Sequence, residues 1–255
     1  MASRSIWNGT LSFGLVTFPV SLHTATDTGG VSFKQVHMSD GGAVKQRRFC
    51  DICDEEVPFA HIAKGYEHES GMVVLKDTDL ATLPLPTAKV MDVIQFVSPV
   101  EVDPILYSKS YYVKPGKGGG QPFALLSEAM RNTGKVGIAK LALRNRESLA
   151  MLRLGEGGEL VLIMLLWPDE VRPADKPELT QLAPALVSQA ESLVSAMSAK
   201  FDPSAHTDGY AAAVVAMVEA KVAGTEAPTA EETAPVEVAD LSSVLAASVA
   251  AKAKS

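Results

Sequence analysis

Basic side chains crowd into one stretch of the chain. Between Pro104 and Leu154 stand Lys109, Lys114, Lys117, Arg131, Lys135, Lys140, Arg144, Arg146 and Arg153. Only Glu128 and Glu147 oppose them, so the stretch carries a formal charge of +7 in a chain whose total is −7. The preceding residues run the other way: from Phe49 to Asp103, Lys64, Lys76 and Lys89 meet eleven carboxylates, a formal charge of −8. A concentrated cationic field on an acidic protein suits a polyanionic partner, because ammonium and guanidinium groups neutralise phosphate oxygens. The same pattern also fits a solvated surface, where isolated charges contribute little. A smaller cluster, Lys45, Arg47 and Arg48, follows the turn signal Asp40-Gly41-Gly42.

Two further motifs could carry chemistry. Cys50-Asp-Ile-Cys53 has the spacing of two thiolates on one metal or of one redox turn. A structural zinc site needs four ligands; His37, His61 and His68 are the candidates to complete it, and none has a characteristic spacing. No βαβ pattern surrounds the pair, so a thioredoxin-like motif is poorly supported, and a plain turn with two reduced cysteines is the simplest reading. Gly116-Lys-Gly-Gly-Gly120 invites comparison with a phosphate loop, but Gly follows Lys117 where Ser or Thr would hold magnesium. Gln121 also breaks the dinucleotide-binding glycine pattern. A mobile basic loop is expected there.

These residues need elements to position them. The 47% hydrophobic content allows a substantial core. No apolar run approaches the roughly 20 residues of a bilayer span, so no membrane association is expected. The N-terminus lacks the pattern of a signal peptide, and two cysteines do not make a disulfide framework, which points to the cytoplasm. Residues 4–26 read as two strands reversing at Asn8-Gly9, with Gly14 marking a bulge and Pro19 an edge or bend. Residues 31–38 and 43–50 read as a hairpin. Residues 59–67 read as a short helix closed by Gly65, and 73–75 as a strand. Next come a short acidic helix at 76–83, a strand at 90–97 and a tyrosine-rich strand at 104–115. A helix over 122–131 leads into a meander of three strands, 135–144, 148–154 and 159–167. In the first of these, Lys140 and Arg144 share a face with Val136, Ile138 and Ala142, while Leu141 and Leu143 face a core. The last strand is apolar on both faces and is expected to be central or to lie at a subunit contact. Helices follow at 179–200, with a bend at Pro184, and at 210–222. Residues 225–240 read as a disordered linker and 238–252 as a final helix.

Five separated segments resemble bacterial Ku: Arg4–Val20; Glu55-Glu-Val-Pro with Ala63-Lys-Gly-Tyr-Glu67; Val102-Asp-Pro with Ser110-Tyr-Tyr112; Leu143-Arg-Asn-Arg-Glu with Leu165-Leu-Trp-Pro-Asp-Glu-Val-Arg172; and Phe201-Asp-Pro-Ser with Tyr210. The resemblance spans about residues 4–224. It implies a β-barrel core, a homodimeric ring around duplex DNA, a role in non-homologous end joining close to the nucleoid, and recruitment of an ATP-dependent DNA ligase through the C-terminal region. One departure concerns the tail. Relatives often end in lysine-rich sequence, whereas five acids and only Lys252 and Lys254 follow Thr225 here, so tail-assisted DNA binding is not expected.

The fold class expected is mainly β with α: an antiparallel β-barrel core with a basic bridge or loop segment, followed by a helical C-terminal region. The divisions are 1–178 for the barrel core, 179–224 for the helical region, and 225–255 for an acidic Ala/Pro/Glu-rich linker and short terminal helix. The leading reading is a non-enzymatic protein, without cofactor or metal, that binds double-stranded DNA ends. Its expected DNA-contacting residues are Lys109, Lys114, Lys117, Arg131, Lys135, Lys140, Arg144 and Arg146, with Lys45, Arg47 and Arg48 second. Two other classes stay open. A lyase would use a lysine amine as Schiff-base nucleophile, and borohydride trapping would detect it. A protein-only scaffold would dock an acidic partner, and steep salt-dependent binding to random duplex would exclude it.

Overall fold

The computed structural model describes residues 4–27, 29–83, 89–143, 146–178, 181–226 and 241–252. Among these the strands are, in chain order, β1 (Ser5–Phe13), β2 (Val16–Thr24), β3 (Lys64–His68), β4 (Gly71–Leu75), β5 (Val90–Val97), β6 (Tyr107–Pro115), β7 (Val136–Leu143), β8 (Arg146–Leu154) and β9 (Leu160–Leu165). The helices are α1 (Asp77–Ala81), α2 (Gly120–Thr133), α3 (Pro184–Met197), α4 (Gly209–Ala223) and α5 (Leu241–Lys252).

Seven strands close into a barrel in the order β1-β2-β6-β9-β8-β7-β5. Neighbours pair antiparallel, except that β1 and β5 run parallel where the barrel closes. Closure leaves no open sheet edge in the barrel. Alternation along each strand divides two apolar clusters. Leu11, Phe18, Leu22, Met91, Leu141, Leu152, Leu160 and Leu162 fill the interior, and α2 adds Leu126 and Met130 to them. The opposite faces of β7, β8 and β9 carry Val136, Ile138, Met151, Val161, Ile163 and Leu165, which pack with Val97, Val102 and Leu106. All six residues of β9 are therefore buried, and the strand is central, between β6 and β8. That burial removes it as a subunit contact. Much of Pro104–Leu154 forms barrel wall and α2.

Local signals near the N-terminus are overridden by tertiary contacts. Asn8-Gly9 is not a turn: β1 runs straight through it. Gly9 is required because a Cβ there would sit 2.3 Å from the Trp7 ring and 2.4 Å from the Lys89 carbonyl oxygen. The reversal comes at Gly14-Leu15, where Gly14 has φ 60°. The glycine-rich stretch is an anchored turn, not a free loop. The Gly116 N–H donates to the Pro19 carbonyl at 2.8 Å, and a Cβ on Gly116 or Gly119 would strike Pro19.

Residues 35–80 contain no buried residue. The expected hairpin of 31–50 is reduced to a bridge between Val36 and Ala43, followed by a second bridge between Phe49 and Glu56. The helix expected over 59–67 is instead a single turn, Phe59–His61, leading into the β3–β4 hairpin. Gly65 ends no helix; it lies in β3, under the Met72 side chain.

The chain divides into two compact units, one of residues 1–28 and 35–173, the other of residues 29–34 and 174–255. In the second, α3 starts at Pro184, so this proline opens the helix rather than bending it. The Asp208 carboxylate caps α4 by accepting from the N–H groups of Tyr210 and Ala211. Gly224, with φ 68°, ends it. Most of the expected linker, 227–240, lies outside the described residues.

Candidate nucleic-acid interface

The structure sorts the candidate cations by what already holds them. Lys109 and Lys114 lie on β6 and are exposed. Tyr111 and Val113 point into the interior cluster, so the alternation sends Tyr112 and Lys114 outward. Exposed Lys117 follows the anchored Gly116. Lys135, also exposed, comes directly after Gly134, whose left-handed φ of 63° caps α2. None of these four side chains makes an ion pair with any described residue, and the same holds for Lys45 on the exposed segment.

Other candidates are already engaged. Arg131 pairs with Glu128 one helical turn earlier. Arg146, the first residue of β8, lies 3.2 Å from the Glu170 carboxylate, and Arg47 lies 2.9 Å from that of Glu56. Lys140 projects outward from β7, half-buried, with Nζ 5.8 Å from the Trp167 ring centroid. Arg48 sits 5.4 Å over the Phe59 ring. Arg144 lies outside the described residues.

The expected set omits one residue that the structure brings in. Arg153 lines a cavity of about 620 Å³ with Arg131 and Lys135, over an apolar floor of Val136, Met151 and Ile163. Its Nη1 donates to the Leu154 carbonyl at 3.1 Å. Strand parity is the signal that marks it: Arg153 shares an outward face with Met151, two residues earlier on β8.

The arrangement can do electrostatic work at little cost in reorganisation. Exposed ammonium groups with no carboxylate partner have only water and mobile ions to give up when a phosphate arrives. A paired guanidinium must first leave its carboxylate. No candidate lysine is buried, so burial, one of the routes that activate a lysine for Schiff-base chemistry, is not in place at any of them. Among the described residues, no three His, Cys, Asp or Glu side chains are grouped so as to hold a metal ion, so His37, His61 and His68 do not complete a site with the cysteines. No helix among them is long and apolar enough to cross a membrane.

Comparison with known proteins gives one consistent family. The family profile described as the Ku70/Ku80 beta-barrel domain matches residues 12–191. The chain is 46% identical over 253 residues to the non-homologous end joining protein Ku of Frankia casuarinae, covering 97% of this chain and 64% of that protein. It is 39% identical to the protein of the same name in Symbiobacterium thermophilum, over 98% of this chain and 63% of that one. Against the Mycobacterium tuberculosis protein of that name identity is 35%, over 98% of this chain and 96% of the relative. The chain thus spans slightly less than two thirds of the first two relatives.

Proposed function

The chain belongs to the Ku family, and from that premise we propose that it binds the ends of double-stranded DNA without reading their sequence, as a non-enzymatic component of non-homologous end joining. The observation that carries the reading is the set of exposed lysines in and beside one barrel that have no ion-pair partner among the described residues: Lys109, Lys114, Lys117 and Lys135. Sequence-independent binding rests on phosphate contacts, and these are the groups free to make them. Arg131, Lys140, Arg146 and Arg153 line the same barrel and contribute once they leave their present partners. Arg144, between β7 and β8, belongs with them by position in the chain, and Lys45, Arg47 and Arg48 supply a second patch.

End recognition requires more than a groove, because phosphates along a duplex are equivalent. A homodimer closed around the duplex meets the requirement, since it loads only from a terminus. The support for a dimer comes from the exposed segment, where Met38 is 99% and Ile52 97% exposed and Phe59, Tyr66, Met72 and Val74 are also open to solvent. So many large apolar side chains left open along one stretch of chain are the kind of surface that a partner would cover. A second copy is the proposed occupant, and stable dimers commonly bury roughly 2,000 Å² or more. The expected result is strong binding to linear duplex and at least about tenfold weaker binding to covalently closed circles of the same sequence, a difference of about 1.4 kcal/mol. A gel-shift comparison measures it, and equal affinity for both would leave only an open groove.

The ligase reading belongs to the helical unit. In α4, Tyr210, Val215, Val218 and Val222 are exposed around a helix whose only charges are Glu219 and Lys221, a surface suited to an apolar partner. We propose that an ATP-dependent DNA ligase is that partner. Ending the chain after Lys200 is expected to leave DNA affinity within about twofold, a change of well under 1 kcal/mol. It should also return a ligase stimulated by the full chain to its unassisted rate. Nick-free end-ligation assays with both proteins read the effect, and full stimulation by the shortened chain would remove the ligase from α4.

A further inference from the structure

Cys50 and Cys53 are not among the candidate phosphate contacts, and no third ligand joins them in a metal site among the described residues. Their geometry is nevertheless specific. Phe49 and Glu56 form an isolated bridge that closes the turn, with the Cys50 N–H donating to the Glu55 carbonyl at 3.0 Å and the Asp54 N–H to the Cys50 carbonyl at 2.9 Å. Asp54 adopts a left-handed φ of 54° to complete the reversal, a conformation that Asp tolerates better than most residues. The bond from Asp54 to Cys50 and the Phe49–Glu56 bridge thus enclose both cysteines, three residues apart, within one tight reversal of the chain. Both cysteines are reduced, Cys50 half-buried and Cys53 exposed.

We propose that this turn is a dithiol–disulfide site, with Cys50 the attacking sulfur and Cys53 the resolving one, oxidised by low-molecular-weight disulfides. The amide of Cys53, then that of Ile52, and the Cys53 thiol hold the Cys50 thiol below the ordinary cysteine range, against the nearby charge of Asp51. A thiol so held has more thiolate at neutral pH, and the thiolate is the nucleophile. In the first step the Cys50 thiolate attacks one sulfur of the small disulfide. That S–S bond breaks, and half of the molecule leaves as a thiolate. Cys53 then gives its proton to water and attacks the Cys50 sulfur, expelling the second half as a thiolate. In all, the chain loses two electrons and two protons, the small disulfide gains two electrons, and the two released thiolates take up the protons. A small thiol in excess reverses both steps.

The test uses the full chain in buffers of reduced and oxidised glutathione, read by intact mass and by counting alkylatable thiols. Both thiols are expected to disappear together, with the mass falling by two hydrogens and no lasting glutathione adduct, and dithiothreitol should restore them. In Cys53→Ser the glutathione should stay on Cys50 as a stable mixed disulfide, and Cys50→Ser should acquire an adduct more slowly than Cys53→Ser does. Unchanged far-UV circular dichroism establishes that both variants are folded. Lasting adducts on the unsubstituted chain, equal reactivity in the two single variants, or resistance to oxidation that a chelator relieves would each overturn the proposal. The last of these would show metal-held thiolates instead.

Discussion

Raising the salt from about 50 to about 200 mM is expected to weaken duplex binding about 10³–10⁵-fold, the range for a protein neutralising roughly six to ten phosphates. The counterions released from DNA on binding give this slope, so it reports directly how many phosphates are neutralised. Replacing Lys109, Lys114, Lys117 and Lys135 together with Ala should flatten the slope of log affinity against log salt by about 0.9 for each phosphate that is no longer neutralised. The contrast is a triple replacement of Arg47, Arg131 and Arg146, whose guanidinium groups already face Glu56, Glu128 and Glu170. Its slope should change less per residue removed, because each of these residues must break a pair before it can reach a phosphate. Fluorescence anisotropy titrations of a labelled duplex at several salt concentrations read both variants. A quadruple variant with the parent's slope would take the barrel lysines off the DNA.

The second large effect is in the barrel itself. Leu162→Ala is expected to destabilise the protein by about 2–5 kcal/mol, since its side chain is fully buried and a cavity would remain behind it. Leu15→Ala, at the tip of the β1–β2 turn and fully exposed, should change stability by less than about 0.5 kcal/mol. Urea unfolding followed by the fluorescence of buried Trp7 compares the two. Equal midpoints would show that the interior of the barrel is not packed around Leu162.

Much of the barrel wall is legible from local pattern. The strands at 90–97, 107–115 and 136–143 and the helix at 120–133 follow the periodicity of their own residues and the stop at Gly134. Lys140 can be set on the face of Val136 and Ile138 for the same reason. What local pattern does not carry is the non-local part. Asn8-Gly9 has a strong turn signal, yet the glycine answers to the Trp7 ring and to Lys89, eighty residues away. The parallel pairing of β1 with β5 leaves no mark in either strand. For the candidate interface, Arg131 and Glu128 are recognisable as a helical pair three residues apart. Arg146 meets Glu170 across 24 residues, and Lys140 meets Trp167 from another element. Charge density can be read along the chain; which charges remain free cannot.

The closing seam has a consequence for the chain as it is being synthesised. The β1–β2 hairpin is made before the rest of the barrel, but the indole N–H of Trp7 donates to the carbonyl of Ala142, 135 residues later. At about 5–20 residues per second, the ribosome needs on the order of ten seconds to supply that acceptor. In the earlier part of that interval, before β5 and β6 have been made, β1 and β2 lack these partners, so a young hairpin presents two unpaired edges to its surroundings. β9, which completes the circle between β6 and β8, arrives later still. The hairpin's edges therefore stay open to pairing with other chains until the later strands are made, and yield in the cell should respond to the pace of synthesis as well as to the stability of the finished protein.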